Sequence, residues 1–173
     1  IEAYKKALAI KPDYAEAYNN MGVVSFECGK LDEAIEALTN AVAIKPDYIE
    51  AWVNGADAFE KWNKLDELAI WLDKGFKSFD KVPANLEFMK CKLLWRNKKF
   101  EETYSLLSDI KFEPISETYK QDYLLLKAKC FERSKKFDEA YNCFAKSNSL
   151  AKNSSEYLSI YPENYFQNLQ KLL

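Results

Sequence analysis

At 173 residues, with 48% hydrophobic and 30% charged side chains, the chain can bury a core and does not read as disordered. Its formal net charge of −2 favours neither nucleic acid nor an anionic membrane surface, and no apolar run approaches the roughly 18 residues of a membrane span. There is no histidine, and the four cysteines (Cys28, Cys91, Cys130, Cys143) form no CxxC pair, so the common zinc spacings and histidine-dependent triads are excluded.

Taken in chain order, the first marker is the hexapeptide AIKPDY at 9–14, which recurs at 43–48. Pro12 and Pro46 cannot continue a preceding helix. Asp13 and Asp47 each stand three residues before a glutamate, the Asp form of a capping-box signature. The hexapeptide thus reads as a helix stop followed by a helix start. Between its two copies, Tyr18, Met21, Gly22 and Ser25 share one face of a first helix, and Ala34, Leu38 and Ala41 one face of a second. CGKLD joins them, with Gly29 suited to a left-handed turn and Asp32 and Glu33 to the positive end of the next helix. The small Gly22, Ala34 and Ala41 let neighbouring helices approach closely, so they are expected as packing positions.

A second marker, Lys30-Leu31-Asp32-Glu33, returns at Lys64–Glu67 and in diverged form at Lys99–Glu102 and Lys136–Glu139, at spacings of 34, 35 and 37 residues. A fixed period of this length signals a solenoid whose units bury their apolar faces by stacking. Residues 49–83 carry Trp52, Ala56, Phe59 and Gly75 at core positions. Residues 84–114 carry Cys91, Leu94, Phe100 and Leu107, and residues 115–150 carry Ala128, Phe131, Ala140 and Phe144 after an extra helical turn from Ser116. The stretch 151–173 breaks the period. Pro162 suits the first turn of a last helix with Tyr165, Phe166, Leu169, Leu172 and Leu173 as its apolar stripe, expected as a cap, with a connector as the alternative.

Residues 15–48 resemble a tetratricopeptide repeat, with that family's aromatic at Tyr18, glycines at Gly22 and Gly29, alanines at Ala34 and Ala41 and proline at Pro46. Residues 1–14 resemble the second helix of a preceding unit, with Ala7 and Pro12 in register. The resemblance implies an all-α, right-handed superhelical solenoid of antiparallel helix pairs over residues 1–150 (repeats 15–48, 49–83, 84–114 and 115–150) with a C-terminal capping helix at 151–173. The start within a repeat, the absence of an initiator methionine and the end on LQKLL suggest an excised fragment.

No catalytic site, cofactor or metal is expected. The glycines never cluster into a phosphate-binding loop, paired acids such as Asp32-Glu33 sit at helix starts, and the aromatic residues that could stack nucleic-acid bases occupy core positions. The lack of a long apolar run implies a soluble chain, and the scattered cysteines, expected reduced and structural, a cytoplasmic one; the resemblance implies a bacterial-type scaffold that binds a protein or peptide in the concave groove lined by the first helix of each pair. In this register the groove holds Glu16, Asn19, Asn20, Val23 and Glu27, then Glu50, Val53, Asn54, Asp57 and Glu60, then Lys92, Trp95 and Arg96, then Lys129 and Arg133. Its charge changes sign along its length, and Asn20 and Asn54 stand where peptide-binding members carry an asparagine ladder. The carboxylate-clamp pattern of the family is met only at Asn54, since Asn19, Val23, Asn85 and Met89 occupy its other places. Two alternatives stay open. Residues 137–158 are similar to the junction at which repeats precede a sulfotransferase domain in bacterial fusion proteins, which implies a substrate-positioning arm, and the array can instead serve self-association.

Overall fold

The computed structural model describes residues 1–151; the expected capping helix lies outside them. The described residues form two compact units divided between Lys99 and Phe100, a boundary that falls within the stretch expected as the third repeat. Unit 1 contains α1 (Glu2–Ile10), α2 (Ala15–Glu27), α3 (Leu31–Ile44), α4 (Ile49–Lys61), α5 (Leu65–Lys77) and α6 (Ala84–Arg96). Unit 2 contains α7 (Phe100–Asp109), α8 (Glu117–Arg133) and α9 (Phe137–Ala151). No strand occurs among the described residues. The extra turn expected from Ser116 is present, since α8 has 17 residues where α2, α4 and α6 have 13 each.

The turn inside each hairpin is closed by the backbone alone. After α2, the Gly29 N–H donates to Phe26 O and the Lys30 N–H to Ser25 O, both at 2.9 Å, the paired bonds of a Schellman closure with Gly29 at φ +75°. The same pair of bonds recurs from Asn63 and Lys64, from Lys98 and Lys99, and from Lys135 and Lys136. Asn63, Lys98 and Lys135 therefore take φ of 58°, 60° and 58° with a side chain attached. A left-handed conformation costs a residue with a Cβ about 1–2 kcal/mol. Gly29 was the one such position that composition revealed.

The expected capping boxes do not form. The first helical bonds of α2 and α4 are accepted by Tyr14 O and Tyr48 O, with no side-chain cap hydrogen bond at either end. Asp47 sits instead in a turn closed by the Tyr48 N–H donating to Lys45 O at 3.1 Å, with Pro46 ahead of it. Asp13 and Asp47 thus stand one residue early, and Glu16 and Glu50 fall one position short of the place from which a capping box closes.

Packing in unit 1 centres on two indoles crossed over two glycines. Trp52 of α4 and Trp71 of α5 have ring centroids 4.7 Å apart, and a Cβ on Gly55 would lie 2.4 Å from Trp71 Cζ2, one on Gly75 3.0 Å from Trp52 Cε3. Each tryptophan therefore lies on the glycine of the opposite helix. Both indole N–H groups are used: Trp71 Nε1 donates to Trp52 O, and Trp52 Nε1 reaches Pro46 O in the connector, each at 2.8 Å. In the preceding hairpin, a Cβ on Gly22 would meet Leu38 Cγ at 2.6 Å, while Ala34 and Ala41 are fully buried, so these three act as the expected packing positions.

In unit 2, Ala128, Ala140 and Phe144 form a core with Leu125, Phe131 and Cys143 packed against it. Tyr123 of α8 is buried, and its hydroxyl faces the carbonyls at the end of α7, 3.2 Å from Leu107 O and 3.0 Å from Ile110 O. It supplies a hydrogen-bond donor where α7 has run out of backbone N–H groups.

Candidate functional site

The first helix of each hairpin in unit 1 (α2, α4 and then α6) is joined to its successor by polar side chains separated by about one repeat. Asn54 Nδ2 donates to Asn19 Oδ1 at 2.9 Å, and Asn19 Nδ2 faces Asn20 Oδ1 at 3.4 Å. Asn19 is buried at 6% exposure, so a polar group enclosed between two helices is satisfied by amides on both sides. Sequence equivalence had paired Asn20 with Asn54 as rungs; the contact instead runs through Asn19, and Asn20 is the exposed end of the relay.

One turn further along, α4 and α6 are tied by charge. Lys92 Nζ lies 3.4 Å from Asp57 Oδ1 and 3.3 Å from Glu60 Oε2, Arg96 lies 2.6 Å from Glu60 Oε1 and also donates to Asn63 Oδ1, and Lys61 lies 2.6 Å from Asp57 Oδ2. The side chains of Asp57, Glu60 and Lys92 are only 13–16% exposed, so this network is partly desolvated and less screened than a surface pair. Four charges expected to face a ligand therefore neutralise one another. Glu16, 4.0 Å from Lys45, and the exposed Glu27 and Glu50 are left as the acidic groups of the face.

Of the remaining expected residues, Val53 is buried at 4% exposure and belongs to the core, a correction to its placement on the groove surface. Val23 and Trp95 are half-buried. Lys129 and Arg133 lie in unit 2, both exposed, and the Arg133 guanidinium covers the Phe100 ring at 3.7 Å from its centroid. The signal that would have located the α4–α6 network was available: Asp57 and Lys92, and Glu60 and Arg96, are opposite charges 35 and 36 residues apart.

The thiols of Cys130 and Cys143 are not primed as nucleophiles. None of the four cysteines is in a disulfide. Burial above all, with Glu101 adding to it against Arg133, pushes the Cys130 thiol up to about 11, and burial raises Cys143 despite nearby Lys127 and Lys146. Among the described residues no group of acids and cysteines is placed to hold a metal ion, and no helix is long and apolar enough to cross a membrane. The face offers hydrogen bonds, partly buried ion pairs and half-buried apolar groups.

Residues 15–48 match the sequence profile of the tetratricopeptide repeat, and residues 1–27 match a second TPR repeat profile. Residues 1–48 carry tetratricopeptide repeats. No curated protein sequence matches it significantly. Among solved structures it is similar to the PilF protein of Pseudomonas aeruginosa, at 18% identity over 99% of this chain and 72% of that one with a TM-score of 0.69. It is also similar to MamA, at 17% identity over 90% and 89% with a TM-score of 0.64. YrrB, described as a TPR protein with an unusual peptide-binding site, aligns at 15% identity over 88% and 76% with a TM-score of 0.63. These likenesses establish the fold, an all-α solenoid of tetratricopeptide type.

Proposed function

We propose that the chain is a non-catalytic scaffold whose face formed by α2, α4 and α6 holds an extended peptide. The supporting observation is the direction of the amide relay. Asn54 gives a hydrogen to Asn19, and Asn19 faces Asn20 with a second amide hydrogen, so the relay leaves the Asn54 carbonyl at one end and the Asn20 amide at the other. A peptide group presents one N–H and one C=O, which are the complements of those two ends. Hydrogen bonds of this kind add only about 0.5–1.5 kcal/mol each, so the half-buried Val23 and Trp95 must supply apolar contact as well. Glu16, Glu27 and Glu50 favour a ligand segment with basic character on unit 1, a preference expressed mainly in orientation and association rate.

The test uses dodecapeptides selected from a random displayed library on the wild-type protein. Asn20→Ala/Asn54→Ala is expected to weaken them by about tenfold, Trp95→Ala by a similar factor, and the exposed helix-surface pair Asp73→Ala/Lys77→Ala by less than about twofold. Selected peptides that retain full affinity for the asparagine double variant but lose it on the Asp73/Lys77 variant would place binding elsewhere and overturn the reading.

A further inference from the structure

In unit 2 a cluster of lysines gathers on two rings outside the residues considered so far. Phe112, in the segment between α7 and α8, lies 5.6 Å centroid to centroid from Tyr123. Lys146 Nζ of α9 stands 4.3 Å from the Phe112 centroid and Lys120 Nζ of α8 5.4 Å from it, while Lys127 Nζ is 5.5 Å from the Tyr123 centroid and 3.4 Å from its hydroxyl. Lys127 and Lys146 both act electrostatically on the thiol of Cys143. Lys120 has a carboxylate partner in the exposed Glu117. Lys127 and Lys146 have none among the described residues.

Ring faces attract an ammonium group but do not neutralise it. Lys127 and Lys146, without a carboxylate partner among the described residues, therefore leave a positive field beside the half-buried Phe112 ring. Lys127 and the exposed Lys129 are two positions apart, roughly 160–200° around a helix of 3.6 residues per turn, so this patch lies on the other side of α8 from Lys129.

We propose that the Phe112–Tyr123 lysine cluster is a second interaction surface, which docks an acidic segment of a protein partner. Lys127 and Lys146 each offer an ammonium group to a carboxylate of the partner, and the half-buried Phe112 ring beside Lys146 offers apolar surface to the partner's intervening atoms. Tyr123 fixes Lys127 because its own hydroxyl is committed to the end of α7, so the site is anchored to a buried group.

The experiment uses the full chain and fluorescein-labelled hexaglutamate, read by anisotropy at low salt. Binding is expected to weaken about tenfold in Lys127→Gln/Lys146→Gln and to fall steeply with added salt. It should change less than about twofold in Lys5→Gln/Lys77→Gln, which removes the same charge from exposed lysines that have carboxylate partners. Asn20→Ala/Asn54→Ala should leave it unchanged, which separates this surface from the proposed peptide groove. Should the double lysine variant fail to fold by circular dichroism, the exposed Lys146→Glu alone carries the test. Equal weakening by the two lysine pairs, or no binding by the wild type, overturns the proposal. Inorganic phosphate displacing hexaglutamate at a lower concentration than a free glutamate peptide would also overturn it, by showing a site for a single compact anion.

Discussion

Replacing Gly55 by alanine tests the crossed indole packing directly. A methyl group at this position would stand 2.4 Å from Trp71 Cζ2, 2.5 Å from Cε2 and 2.9 Å from Nε1. The ring must then retreat by roughly 1 Å to restore van der Waals contact. It cannot do so freely, because its Nε1 donates to Trp52 O at 2.8 Å and the ring packs against those of Trp52 and Phe59 at centroid distances of 4.7 and 5.8 Å. Overpacking of this kind costs about 1–3 kcal/mol, and a weakened hydrogen bond to a buried indole N–H adds about 1 kcal/mol or more. Against these stands about 0.8–1.0 kcal/mol from alanine's better helix propensity. The expected net loss is about 1–3 kcal/mol, seen by circular dichroism as a melting temperature lowered by roughly 3–10 °C. Pairing the change with Trp71→Phe, which shortens the ring, should cost less than the two single changes added together. A Gly55→Ala protein that melts at or above the wild-type temperature would refute the wedged arrangement.

Three further outcomes follow from the geometry. Lys98→Gly and Lys135→Gly relieve left-handed backbone at φ 60° and 58° and should each stabilise the chain by about 0.5–1 kcal/mol in urea unfolding; destabilisation by either would contradict the closure described. Lys92→Met leaves Asp57 and Glu60 without their shared cation and should cost about 1–3 kcal/mol, a loss that added Glu60→Gln partly recovers in a double-mutant cycle. Because burial holds the Cys130 thiol protonated up to about 11 against an ordinary value of 9.0, the unfolded chain releases its proton first. Stability should therefore be full below pH 9 and fall between pH 9 and 11 by roughly 1–2 kcal/mol; a Cys130→Ala variant with the same slope over that window would show that the thiol is not responsible.

The repeat was legible because its determinants are local. Pro12 and Pro46, Gly29 and the small Gly22, Ala34 and Ala41 act within a few residues or across one hairpin, and their spacing survives in a single sequence. Asp13 and Asp47 misled because a capping box and a Pro-Asp turn share the same letters, and one residue of register separates them. The left-handed turns at Lys98 and Lys135 carried no composition signal, since the paired backbone bonds impose the conformation whatever the side chain. Contacts between successive first helices were the least visible. Asn19, and not Asn20, meets Asn54, and Asp57 and Glu60 spend their charge on Lys92 and Arg96. The sequence places these groups on a common face but does not say which of two neighbours reaches across.

The division between Lys99 and Phe100 separates the chain's chromophores as well as its packing. All four tryptophans (Trp52, Trp62, Trp71 and Trp95) precede the boundary, and residues 100–173 carry tyrosine and phenylalanine only. Emission excited at the red edge of the indole band thus reports unit 1 alone, while tyrosine absorbance changes draw on both units. A single protein, without labels or substitutions, can therefore show whether its two halves melt together or in sequence.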